Sequence, residues 1–373
     1  MKELGLERAR IDEVGNAIGE LGDAACRRVV VLLGHIDTVP GAIPVRIERP
    51  GDGDAGDGVL HGRGAVDAKG PLACFVAAAA RLGSAWAREH DLRLVVAGAV
   101  EEEAATSRGA RHLARALVAD DGTLPLACVI GEPSHAHRIT LGYKGRLLID
   151  LELAQPCAHT AGPDPGVAVH AIELWNRLAE LSAAFNAGRP RPFDQLQPSV
   201  RELTTASDGL REEVRATFGL RLPVACDVAE LHGELVSWSR RRFGLAASGG
   251  EPARVLQDIA LEADGRSLAL RFRGYEPAHR SDKTSPLVRC FLRAIRRHAR
   301  EREQAGFVVK TGTSDMNVVA PHWRCPIVAY GPGDSALDHT PEERLDLDEY
   351  WRAVLTLEEA LRELAGCAGP SRA

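Results

Sequence analysis

The sequence predicts an α/β fold in two parts, an open sheet interrupted by an inserted ferredoxin-like βαββαβ unit, and three observations predict it. Short apolar runs alternate with helical segments towards both ends of the chain. That rhythm breaks at about Lys144 and resumes at about Thr284. The length of 373 residues also exceeds what one hydrophobic core usually serves.

The elements follow in order. Val29 to Leu33 is an apolar run suited to a buried strand, Gly70 to Leu82 a helix, and Leu92 to Val100 and Leu126 to Ile130 two further buried strands. From Lys144 onward, GRLLIDLEL reads as a strand, Val167 to Phe185 as a helix, and Pro198 to Pro223 as two strands. A helix over Asp227 to Phe243 and a strand at Ser267 to Gly274 close this unit. The order β-α-β-β-α-β is that of a split βαβ unit, long enough for a small domain of its own. Ala246 to Pro252 is the most linker-like stretch and is expected to be a turn within it. Then come a helix from Thr284 to His298, a strand from Cys325 to Tyr330, and an amphipathic helix from Leu347 to Leu364 that follows Pro341-Glu342-Glu343 and the acidic LDLDE.

Composition narrows the function. A net charge of −6 gives no basic excess for a phosphate backbone, so nucleic acid is excluded as a partner. MKELGLERARIDEVGN lacks the apolar centre of a signal peptide, and no run of about 18 apolar residues occurs. The expected location is cytoplasmic, with no membrane partner. Eight cysteines stand singly, with no CxxC pair, and are expected to be reduced core thiols.

His, Asp and Glu recur just beyond the carboxyl ends of the expected strands, where open α/β sheets place their ligand sites. After VVVLL come His35 and Asp37, which a period-2 backbone points to one side, so that His35 can bind a metal while Asp37 fixes its surroundings. Asp67 lies in the glycine-rich GRGAVDAKG and is a candidate bridge. LRLVVAGAV ends in Glu101-Glu102-Glu103, whose mutual repulsion calls for cations. Glu132 follows ACVI, and Asp338-His339 follows PIVAYGPG. Singly, a histidine after a strand is more often a satisfied polar residue than a ligand. Two histidines with three carboxylates, one of them shared, can hold two divalent ions and acidify a water between them. Mixed N and O ligation suits zinc, with cobalt or manganese also fitting.

Through GHIDTVP, HGRGAVDAKG, the EEE cluster, GEPS and His339, the chain resembles a dinuclear zinc amidohydrolase and peptidase family. That family comprises acetylornithine deacetylases, succinyl-diaminopimelate desuccinylases and glutamate carboxypeptidases, and the match runs from about Gly5 to Leu364. GYKGRL, KTGTSDMN, YGPG and DHTPEE carry a closer resemblance, to hydrolases that release lysine or ornithine from an amino-group carrier protein. The resemblance implies a zinc-peptidase-like catalytic domain over 1–143 and 275–373, with 144–274 as a lid and dimerisation domain. One ion would be held by His35, Asp67 and Glu132 and the other by Asp67, Glu103 and His339. Glu102 would be the general base and Asp37 would orient His35. The family shows a single Glu-Glu pair, so Glu101 with Glu102 is an alternative register. His159 would reach across a homodimer interface to hold the oxyanion, and the Gly331-Pro332-Gly333 loop would offer N–H groups to a substrate carboxylate. A surface turn histidine and a plain turn are the alternatives for these two. Members usually carry a further helix and loop ahead of the region where this sequence starts, so the sheet is expected to lose a covering helix.

The expected activity is release of lysine or ornithine from the carrier's terminal glutamate, within amino-acid biosynthesis. A basic groove on the lid, using Arg271 and Arg273, would favour it. The alternatives are a free N-acetylornithine deacetylase, a related dipeptidase or desuccinylase, and, from another class, an inactive metal-binding relic.

Overall fold

The structure, a computed structural model, describes residues 1–26, 28–49, 57–118, 121–159, 161–243, 256–263 and 265–367. The turn expected at 246–252 lies outside these. The chain divides into two compact units, one of Met1–Tyr143, His279–Lys310 and Ser314–Ala373, the other of Lys144–Ala278 and Thr311–Thr313.

In the first unit, the central strand Val29–His35 pairs in parallel with Arg93–Ala99 on one side and Ala127–Ile130 on the other. Ile327–Ala329 runs parallel to Ala127–Ile130, and Arg138–Tyr143 follows antiparallel. Side-chain alternation builds two cores on the two faces of this sheet. Val30, Leu32, Leu94, Val96 and Val129 pack with helices Lys69–Glu89, Pro286–His298 and Leu347–Cys367. Val31, Leu33, Val95, Ala97 and Ile130 pack with helices Arg108–Ala116 and Asp315–Trp323. Parallel strands buried on both faces all end at one edge, and that edge carries the candidate donors.

Several elements were not legible in the sequence. Glu7–Ile11 and Ala17–Leu21 form an antiparallel hairpin whose second strand pairs with Arg93–Ala99, so the residues ahead of the first expected strand extend the sheet. Arg46–Glu48, Val59–His61 and Arg344–Asp346 make a separate three-stranded sheet. Nor are the cysteines uniformly core residues: none is bonded, but Cys157 and Cys367 are exposed.

The second unit is an antiparallel sheet with the strands ordered Gln197–Ser207, Arg211–Leu222, Gly145–Pro156, Arg266–Glu276 and Ile259–Ala263. The first four have the ferredoxin-like order, and the fifth is an edge strand absent from the sequence reading. Leu147, Ile149, Leu151, Val214, Phe218 and Leu270 pack one face against helices Ala168–Asn186 and Val228–Arg242. On the other face Arg271 forks onto Glu152 at 2.8 and 3.0 Å, and Arg273 onto Asp150 at 2.5 and 3.1 Å. Both guanidiniums are already neutralised, so they do not form the expected basic groove. Among the described residues no helix is long and apolar enough to cross a membrane.

Candidate metal centre

The site is assembled from strand ends of the first unit. His35 closes its strand and is 1% exposed. Its Nδ1 lies 3.1 Å from the Asp37 carbonyl oxygen. A carbonyl can only accept, so Nδ1 carries a proton, and Nε2 is the nitrogen turned towards the other donors. Nε2 lies 3.2 Å from Asp67 Oδ1. The other oxygen of the same carboxylate, Oδ2, is 2.9 Å from His339 Nε2, which also meets Glu103 Oε1 at 3.2 Å. One carboxylate therefore stands between two imidazoles.

Glycine makes these approaches possible. A Cβ on Gly131 would come to 3.0 Å from the Gly34 Cα, so glycine at both places lets the segment carrying Glu132 run close beside the one carrying His35. A Cβ on Gly70 would fall 2.2 Å from the Ala65 carbonyl, closing off the turn that delivers Asp67.

Donor atoms converge in three groups: His35 with Asp67 and Glu132, Asp67 with Glu103 and His339, and His35 with Glu102 and Glu103. Within each, the atoms lie within 4.8 Å of one another. Burial and the Asp67 charge push the Glu132 carboxyl up to about 8, against the pull of His35 and Lys310. Burial drives Glu102 well above the ordinary carboxylate range, with His35 opposing and Glu132, Asp315 and Glu103 adding. Asp338 is likewise raised to about 8 by burial and by Asp67. Asp67 goes the other way: burial raises it, but His35, His339 and Lys310 outweigh that. So many carboxylates cannot all ionise together in a buried space without cations. Two imidazoles and three carboxylates, one shared, are a donor set that fits two divalent ions.

A model of peptidase family M20/M25/M40 matches residues 31–363. The chain belongs to that family. It is a hydrolase. A LysW-lysine hydrolase of Deinococcus radiodurans is 43% identical over 364 residues, covering 96% of this chain and 88% of that protein. A putative LysW-lysine/LysW-ornithine hydrolase of Thermococcus kodakarensis is 36% identical, covering 96% and 82%. Among solved structures, an M20 metallo-carboxypeptidase from Sulfolobus solfataricus superposes with a TM-score of 0.66 at 17% identity, covering 98% of this chain and 92% of that one. A dinuclear metal-binding M20 peptidase from Bacillus subtilis superposes with a TM-score of 0.59 at 14% identity, covering 98% and 88%. At such identities the structural likeness establishes the fold.

In this M20/M25/M40 hydrolase the remaining expected residues divide. Asp37 touches the His35 ring, with Oδ1 3.4 Å from Nδ1, and its two oxygens accept the backbone N–H groups of Glu102 and Glu103 at 3.2 and 3.1 Å. It thus ties the acidic segment to the first histidine. Glu101 turns away: its carboxylate takes the Thr106 hydroxyl at 2.8 Å and Arg108 at 3.1 Å, outside all three donor groups. His159 belongs to the second unit, exposed in a turn, where Nδ1 accepts the Ala161 N–H at 3.2 Å. With Nδ1 accepting, Nε2 is the ring nitrogen left to act as a donor. The glycine loop departs from expectation. Gly333 N–H donates to Glu349 at 3.2 Å and Gly331 N–H to Ser134 Oγ at 3.4 Å, so both amides are spent internally rather than offered to a substrate carboxylate.

Three further side chains, Lys310, Glu343 and Arg63, escaped the sequence reading. Lys310 donates to the Pro133 carbonyl at 2.6 Å and so stands beside Glu132. Glu343, 1% exposed, accepts from Arg63 and from the backbone of the Asp67 loop. Glu343 sits in an acidic run ahead of a helix, which in sequence looks like a solvated first turn.

Proposed function

We propose that this chain is a two-metal amidohydrolase releasing lysine or ornithine from the terminal glutamate of an amino-group carrier protein. For the chemistry, the observation that carries the reading is the Asp67 carboxylate, with one imidazole nitrogen at each oxygen, 3.2 and 2.9 Å away. For the substrate, support comes from the names of relatives that align over nearly the whole chain, a LysW-lysine hydrolase among them.

His35, Asp67 and Glu132 would hold one ion, and Asp67, Glu103 and His339 the other, zinc and cobalt both suiting such donors. When bound, the ions polarise the scissile carbonyl and make water acidic enough to attack near neutral pH. Glu102 accepts the proton of the attacking water on its carboxylate and delivers it to the leaving nitrogen. Its place in a donor group with His35 and Glu103 sets it beside where that water would be held. Asp37 positions His35 and the backbone of Glu102 and Glu103. His159 of a second copy would donate from Nε2 to the developing oxyanion, which makes a homodimer the functional form.

Amine release from carrier-linked lysine, carrier-linked ornithine and free N-acetylornithine, measured side by side, tests the substrate. Release from carrier conjugates alone is expected. Turnover of free N-acetylornithine would move the chain to the small-molecule deacetylases, and inactivity on all three with metal bound would favour an inactive relic.

A further inference from the structure

The structure assigns to the buried Glu343–Arg63 pair a positioning role for Asp67 and His339: it holds the loops carrying these two donors in register. This rests on the two-metal reading of the site. Glu343 Oε1 accepts the backbone N–H groups of Val66 at 2.9 Å and of Asp67 itself at 3.1 Å. Its Oε2 accepts Arg63 at 2.9 Å. Arg63 reaches two further segments, donating to the Gly41 carbonyl at 3.0 Å and to the Thr340 carbonyl, one residue past His339, at 3.1 Å. The Glu343 carbonyl closes the ring by accepting the Gly62 N–H at 3.3 Å. Side-chain exposures of 1% for Glu343 and 14% for Arg63 keep water from substituting for these bonds.

The two donor groups depend on this clamp unequally. His35 ends a central strand and Glu132 follows the neighbouring one, so both are carried by the sheet. Glu103 is held through its backbone N–H by Asp37. His339 lies outside any strand, with a side chain 52% exposed and φ at +61°, a backbone region that favours glycine. Its loop is tied to the Asp67 loop by the Arg63 and Glu343 bonds. Without Glu343, two amides of the Asp67 loop lose their acceptor and Arg63 is left without its carboxylate. The Asp67, Glu103 and His339 group should therefore fail before the His35, Asp67 and Glu132 group.

The test is stepwise titration of metal-free wild-type, Glu343→Ala and Glu343→Gln proteins with cobalt(II), following heat and the visible absorption of the ion. Wild type is expected to take two ions. Glu343→Ala should bind the first with near wild-type affinity and the second about 10- to 100-fold more weakly, with an altered band for that second step. Glu343→Gln keeps an oxygen for the two amides but not the charge opposite Arg63, and should fall between them. Should Glu343→Ala fail to fold, the glutamine variant decides. A folded variant that binds both ions as wild type does, or weakens both steps equally, overturns the clamp. Wild type taking fewer than two ions would instead count against the two-metal reading itself.

Discussion

Glu20 offers a quantitative test of how the hairpin that extends the sheet is held. Its side chain is 2% exposed yet ionised among three arginines: Arg10 at 2.6 Å, Arg93 at 2.7 Å and Arg8 at 3.2 Å. Burial alone would raise the carboxyl, but Arg93 and Arg10 outweigh it and bring it from the ordinary 4.5 down to about 2. The folded value is depressed, so the stabilisation is present above the unfolded value and is lost as pH falls from about 4.5 towards 2. A shift of that size corresponds to about 3 kcal/mol at pH 7. Solvent around the part-exposed Arg8 and Arg10 trims this to about 2–3 kcal/mol. Glu20→Gln should therefore lower the melting temperature at pH 7 by about 4–12 °C for a unit of this size. The gap to wild type should narrow to about 1–2 kcal/mol at pH 3.5. Urea unfolding of the two metal-free proteins at both pH values measures this. A cost below about 0.5 kcal/mol at pH 7, the range of ordinary surface substitutions, or a gap that does not change with pH, would refute the reasoning.

Three further outcomes are expected. Glu102→Ala should retain fold and metal content while turnover falls at least about a thousandfold, checked by metal analysis beside steady-state rates; unaltered turnover would remove Glu102 as the base. Asp67→Ala should strip both ions, and a variant keeping two per chain would disprove the bridge. Mixing His159→Ala chains with Glu102→Ala chains should restore part of the activity if the oxyanion donor comes from a second copy. No recovery would place the whole site within one chain.

Much of this site can be read from the chain because its donors are punctuation after apolar runs. VVVLL, LRLVVAGAV and ACVI announce strands buried on both faces, and His35, the acidic triplet and Glu132 follow them directly. What stayed hidden depends on long-range pairing. ERARI and AIGEL do not look like sheet, because Glu20 is buried only by virtue of arginines at positions 8, 10 and 93. Arg271 and Arg273 suggested a basic surface until cross-strand neighbours at 150 and 152 neutralised them. The partners of the Gly331 and Gly333 amides were hidden for the same reason, since they come from Ser134 and Glu349. Of the three adjacent glutamates, the preferred pair Glu102 and Glu103 are the two in the donor groups, while Arg108 and Thr106 take Glu101 out of the site.

The most direct test of the account is lysine release from the carrier conjugate as chelated protein is titrated with zinc or cobalt. The account predicts no release without metal and a rise that reaches its plateau at two equivalents per chain. Release by the chelated protein, or a plateau at one equivalent, would contradict it.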